Sequence, residues 1–190
     1  ETADELTMGQ SIRYQTRRCG TPQPFIAPPW AYTFESCDDL PRGANGHKGN
    51  IIGLGYWWIE LGGEEDTIHE NEALRNELLK IAYGVWDHVK NHCPHHRSDA
   101  ECLELEWMQF LPAKRESRRY VGAYVLNQND LESEGVFDDT VAYGGWAMDD
   151  HDYAGFRSAG TGRPPTIFYE TPSPYGIPFR SLYSRNIANL

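Results

Sequence analysis

Three arginines and a lysine crowd the run Lys114-Arg115-Glu116-Ser117-Arg118-Arg119. A guanidinium stays charged at any useful pH and grips a carboxylate through two parallel N–H bonds. Arg115 with Arg118 or Arg119 can clamp an anionic group of a small-molecule substrate. The bland alternative is a solvated turn pairing with Glu116 and its acidic surroundings. Arg180 follows Ile177-Pro178-Phe179 in an otherwise apolar stretch, as the partner of a buried carboxylate or as a residue pointing into a cleft. Asp149-Asp150-His151-Asp152 sets an imidazole among carboxylates, which raises its basicity and suits a general base. An exposed acidic turn is the competing reading there, and adjacent residues rarely converge on one metal ion. Trp57 and Trp58 must face opposite sides of a strand. With Trp146 they divide between core packing and stacking on a ring-shaped ligand. The candidates are therefore His151, Arg115 and Arg180 for catalysis. For substrate binding they are Arg118, Arg119, Asp149, Asp150, Trp146 and Trp57.

His92, Cys93, His95, His96 and Cys102 suggest zinc, but the crowding is wrong for paired tetrahedral ligands. An interhelix loop is the better reading, and no metal is expected. The four cysteines, 19, 37, 93 and 102, are separated by 18, 56 and 9 positions and form no Cys-x-x-Cys pair. That excludes an iron–sulfur or zinc-ribbon site. Buried thiols are expected rather than two disulfides.

A net charge of −11 repels a phosphate backbone, so no nucleic-acid partner is expected. No apolar stretch approaches the roughly 20 residues that span a bilayer. The opening Glu1-Thr2-Ala3-Asp4-Glu5 has no basic-then-apolar leader. A soluble protein is expected, with cytoplasm and periplasm both open. Six Trp, eleven Tyr and seven Phe make 13% of the chain, a density that favours recognition surfaces as well as cores.

The elements that must position these residues read as an α+β domain with a mostly antiparallel or mixed sheet and two adjacent helices. Residues 9–17 place Ile12, Tyr14 and Thr16 on one strand face. Residues 51–61 are apolar and β-rich, a strand. A helix over about 67–91 carries the stripe Leu74, Leu78, Ile81, Val85 and Val89, with Thr67 and Glu70 in capping-box spacing. Ser98 and Glu101 suggest a second box opening a helix over about 99–110. Strands are expected at about 118–126, within 138–149, at 166–170 and at 177–183, with a short turn or helix at 129–131. Residues 155–165 read as a loop.

Several motifs in one order resemble a family of FAD-dependent oxidoreductases that includes the flavin subunit of heterodisulfide reductases. They are the arginine run with Tyr120-Val121-Gly122-Ala123-Tyr124, then Tyr56-Trp57-Trp58-Ile59-Glu60-Leu61-Gly62-Gly63, Arg75-Asn76-Glu77-Leu78-Leu79 and Gly84-Val85-Trp86-Asp87-His88. Asp138-Asp139-Thr140-Val141-Ala142, Gly144-Gly145-Trp146 and Tyr175-Gly176-Ile177-Pro178-Phe179-Arg180 continue the series. The resemblance implies a single substrate-binding or cap domain over 1–190, hydride transfer from substrate to FAD in the complete protein, and His151 accepting the proton. It also implies that the partners are the flavin-binding segments of the same parent chain. This chain departs from such enzymes in lacking the glycine-rich phosphate loop: Gly53-Leu54-Gly55 leads to Trp58, and Gly160-Thr161-Gly162 runs into prolines. No FAD is therefore expected on the chain alone, which reads as an inactive fragment whose apolar docking face favours self-association. A carbohydrate-binding module using exposed Trp and Tyr is the alternative.

Overall fold

The computed structural model describes residues 6–41, 59–164 and 166–189. The chain divides into two compact units, Glu1–Ser117 with His151–Pro165, and Arg118–Asp150 with Thr166–Leu190.

In the first unit the elements in order are β1 (Gln10–Ser11), β2 (Tyr14–Arg18), β3 (Glu60–Leu61), α1 (Asn71–Asp87), α2 (Arg97–Ala100), β4 (Leu103–Met108) and β5 (Ala113–Lys114). β1 lies between β3 and β5 and is antiparallel to both. β2 pairs antiparallel with β4, with a register shift between Gln15 and Thr16. The predicted alternation holds: Ile12, Tyr14 and Thr16 are buried, while Arg13, Gln15 and Arg17 face outward. Residues 51–58 of the expected 51–61 strand lie outside the described residues, and within 59–61 the strand is β3.

The apolar stripe of α1 is buried as its spacing requires, and it meets Ile12, Leu40, Leu61 and Leu103 in one core. Each such aliphatic side chain contributes about 1.5–3 kcal/mol by leaving water. Trp86, fully buried, packs against Tyr14 at 5.6 Å and Phe25 at 6.2 Å between ring centroids. α1 begins at Asn71 rather than near Thr67, and no side chain caps it, so the Thr67–Glu70 box does not form. In the turn before it Asp66 rather than Thr67 takes the exposed N–H groups, its Oδ1 accepting from Ile68 at 2.9 Å and His69 at 3.0 Å. Glu70 Oε2 accepts from the Asp66 N–H at 3.2 Å. A charged carboxylate is the stronger acceptor, and the Thr67 hydroxyl donates instead to the Glu116 carbonyl at 3.1 Å.

The predicted helix over 99–110 is a correction: its first part is the four-residue α2, and residues 103–108 are strand β4. No side chain caps α2 at its N-cap, so the Ser98–Glu101 box does not form. Lys90 explains the break. Its buried ammonium donates to the carbonyls of Ala100 at 2.7 Å, Glu101 at 3.1 Å and Leu103 at 2.9 Å. Carbonyls engaged by Lys90 compete with continuing an α-helix, and β2 offers the following residues a ladder instead.

The second unit contains α3 (Gln128–Glu132), β6 (Thr140–Gly144), β7 (Met148–His151, ending at the unit boundary), β8 (Thr166–Tyr169) and β9 (Tyr175–Pro178). β6 pairs antiparallel with β9, and β7 pairs with β8. Asn127 and Asp130 form a complete capping box on α3. The expected strand over 118–126 is absent among the described residues. Its backbone makes one bridge, Gly122 to Ser184, and bonds from Ala123 to Tyr183 and Tyr124 to Arg180. Tyr120 and Val125 are exposed, so the sequence alternation buries no face that would favour a strand. Residues 179–181 likewise form a 3₁₀ turn where a strand was expected. The class is nonetheless α+β, with antiparallel ladders throughout the described registers.

Candidate functional site

Strand β3 and the residue before it read Ile59-Glu60-Leu61, a carboxylate between two core residues. Its neighbours decide what that carboxylate does. Glu60 Oε2 lies 3.1 Å from His151 Nδ1 and 3.5 Å from Arg115 Nη1. The Ser11 hydroxyl points at the same oxygen at 3.4 Å, and Arg115 Nη1 donates to Ser11 Oγ at 3.3 Å. The side chains of Glu60 and His151 are each 2% exposed, whereas that of Arg115 is 33% exposed. A buried carboxylate is tolerable only when paired and hydrogen-bonded. Here it is satisfied by one imidazole, one guanidinium and one hydroxyl.

The same contact fixes the imidazole. An ionised carboxylate only accepts, so Nδ1 carries the proton and, in the neutral ring, Nε2 bears the lone pair. The backbone behind His151 is also held. Asp152 Oδ1 accepts from the Ala154 N–H at 2.9 Å, and Arg163 Nε lies 3.2 Å from its other oxygen. Gly155 follows at φ +55°, and a Cβ there would come within 2.4 Å of the Glu60 carbonyl. Only glycine lets this turn approach β3 so closely.

Beside Arg115 a groove of about 970 Å³ opens, with Ser11 and Arg13 on its polar side and Trp107, Phe110 and Leu111 on its apolar side. Arg115 therefore touches both the buried Glu60 and an open, half-apolar cavity.

The structure brings together two of the predicted catalytic residues, His151 and Arg115. Arg180 belongs to the second unit, where its Nη1 lies 3.2 Å from Asp139 Oδ1 and its guanidinium covers the rings of Tyr124 and Phe137. Its partner is a carboxylate, but a half-buried one rather than the buried one of the first sequence reading. Arg118, Arg119, Asp149, Asp150 and Trp146 are exposed residues of that same unit. Trp57 lies outside the described residues. Glu60 and Ser11 were missed. The signal for Glu60 was a single acid inside an apolar strand.

The histidine and cysteine crowd at 92–102 does not converge. His92 Nε2 pairs with Asp87 Oδ2 at 3.2 Å, and His95 meets His96 edge-on with ring centroids 6.4 Å apart. Cys93 turns away toward Cys37 and His88.

The family model described as FAD dependent oxidoreductase matches residues 8–190. The chain belongs to that family. No match was found among curated proteins or among solved structures. Membership implies FAD binding in the family, so the fit of that cofactor to the residues present can be tested. A pyrophosphate sits on exposed N–H groups at a helix start, approached through glycines. At the start of α1 Glu70 and Glu72 put negative charge where a pyrophosphate would sit, and the turn before the helix is held by Asp66 rather than approached through glycines. The Gly160–Gly162 turn, with φ of +73° and +77°, leads to Arg163 and Pro164 rather than into a helix. Neither place fits FAD. Among the described residues, no helix is long and apolar enough to cross a membrane.

Proposed function

We propose that this chain is the substrate-binding part of a FAD-dependent oxidoreductase, with the flavin held by other segments of its parent protein. The observation that carries the reading is the buried Glu60–His151 pair joined to Arg115 at the edge of the groove. In this role Arg115 binds an anionic group of the substrate, and Trp107 and Phe110 receive its apolar part. His151, oriented through Nδ1 by Glu60 and buried behind Arg115 rather than lining the groove, is the proton acceptor in this reading. Glu60 touches no substrate and acts as a positioning residue. The finer likeness to heterodisulfide reductase flavin subunits rests on the order of the motifs. The apolar wall of the groove supports self-association of the isolated chain.

Binding of small anions to the chain tests the substrate role. A panel of aryl and alkyl carboxylates should contain members that raise the melting temperature saturably, and Arg115→Met should abolish that shift while the chain stays folded. If Arg115→Met binds every responding carboxylate as tightly as the wild type, the clamp is wrong. Saturable binding of oligosaccharides with no response to any carboxylate would instead favour a carbohydrate-binding module.

A further inference from the structure

Cys37, His88 and Cys93 converge in the interior of the first unit. Cys37 Sγ lies 3.5 Å from His88 Nε2 and 3.9 Å from Cys93 Sγ, and the three donor atoms fall within 4.8 Å of one another. The three residues are 8%, 0% and 0% exposed.

Local structure places each one. Ser36 caps a 3₁₀ turn over Cys37–Asp39: its Oγ accepts from the Asp38 N–H at 3.1 Å, and Asp39 accepts from the Ser36 N–H at 2.9 Å. Cys37 is thereby fixed at the head of that turn. On the other side, α1 widens into a π-turn over His88–His92, closed by the Cys93 N–H on the His88 carbonyl at 2.7 Å. In an α-helix, residues five apart sit about 140° around the axis from each other. The i to i+5 closure of a π-turn brings them onto the same side, and such bulges concentrate at functional positions.

The imidazole is prepared for coordination. His88 Nδ1 lies 2.8 Å from the Phe34 carbonyl, which can only accept. The proton is therefore on Nδ1, and the Nε2 lone pair faces the two sulfurs. This outer contact is the one that usually orients a metal-binding histidine.

The two spacings from Cys37 match one ion, and the third lies within 4.8 Å. Tetrahedral zinc with Zn–S near 2.3 Å and Zn–N near 2.05 Å puts its sulfurs about 3.8 Å apart and a sulfur and nitrogen about 3.6 Å apart. The observed separations are 3.9 Å and 3.5 Å. A disulfide needs sulfurs about 2.05 Å apart and gives the imidazole no part to play.

We propose that Cys37 Sγ, His88 Nε2 and Cys93 Sγ are three ligands of a structural zinc ion, with water or a further donor in the fourth position. Binding releases the two thiol protons to solvent and moves no electrons. The burial of all three ligands marks the site as one that ties the 36–39 turn to the end of α1 rather than one open to substrate. It stands independently of the flavin reading.

Elemental analysis of the chain, purified without metal-affinity steps, should give about one zinc per molecule. Cys37→Ser and Cys93→Ser should each fall below about a tenth of that, while Cys19→Ser and Cys102→Ser retain it. Because the serine variants can unfold for other reasons, the wild type stripped by chelator should also be titrated with Co²⁺. A thiolate-to-cobalt charge-transfer band should saturate at one equivalent and vanish on adding zinc. A wild type that holds no zinc and gives no such band would overturn the proposal. So would zinc retained in both Cys37→Ser and Cys93→Ser, or peptide mapping that finds Cys37 bonded to Cys93.

Discussion

Nδ1 of His151 sits 3.1 Å from Oε2 of Glu60, two side chains separated by 91 positions in sequence and each 2% exposed. Neither residue is comfortable in the interior alone. Together with Arg115 and Ser11 they form a polar cluster beside a groove, and the carboxylate contact fixes the orientation of the imidazole.

Removing Glu60 should cost stability. Glu60→Ala leaves His151 and Arg115 facing a void where a charge was, which should lower unfolding free energy by roughly 2–4 kcal/mol. Glu60→Gln keeps the shape and one acceptor and should cost less than Glu60→Ala. Urea unfolding checks the order. Equal costs for the two variants would show that the carboxylate's pairing does not matter.

In the flavoprotein proposed above the two cluster residues should separate kinetically. His151→Asn should lower kcat by roughly 10²–10⁴-fold with a smaller change in KM, as loss of a general base does. Arg115→Met should chiefly raise KM, because the arginine holds ground state and transition state alike. Steady-state kinetics with any turned-over substrate decides. Unchanged kcat in His151→Asn would remove the base from the account.

Lys90→Met should destabilise the first unit by roughly 2–4 kcal/mol, since three carbonyls lose one buried donor and gain none. Burial pushes this ammonium below the ordinary lysine range, as fits a group engaged deep in the fold. Hydrogen exchange should localise the loosening to residues 97–108. A loss below about 0.5 kcal/mol would mean that water replaces the ammonium.

Asp66 supplies a pH signature. Its hydrogen bonds with the His69 ring and with the N–H groups of His69 and Ile68 hold its carboxyl at about 2, below the ordinary 3.8. A carboxyl depressed in the folded state stabilises fully above its unfolded pKa and loses that contribution as pH falls toward its folded one. Asp66→Asn should therefore melt below the wild type at pH 6, and the gap should close between about pH 4 and pH 2. A gap that stays constant over that range would show that the Asp66 carboxylate does not hold the turn before α1.

Much of the first unit was legible in sequence because periodicity and burial agree there. Ile12, Tyr14 and Thr16 alternate and are buried, and the α1 stripe steps by three and four and is buried. Where local pattern and tertiary contacts conflict, the contacts win. Ser98 and Glu101 spell a helix start, yet Lys90, eight residues before Ser98, takes the carbonyls that a helix would need. Tyr120 through Leu126 alternate like a strand, but no neighbouring strand covers either face among the described residues. Of the candidate site, His151 and Arg115 were readable from residue type. Their partner Glu60 was visible only as a lone acid in an apolar segment, and its meeting with His151 depends on a turn at Gly155 that spacing does not encode. The Cys37–His88–Cys93 cluster was hidden for a similar reason: a π-turn, not an α-helix, aligns residues 88 and 93.

The most direct measurement compares flavin content, by visible absorption, in this chain alone and in the complete parent protein. The account predicts no bound FAD on the chain, even after incubation with excess, and about one FAD per molecule in the parent. Stoichiometric FAD on the isolated chain, or a parent protein that binds none, would contradict it.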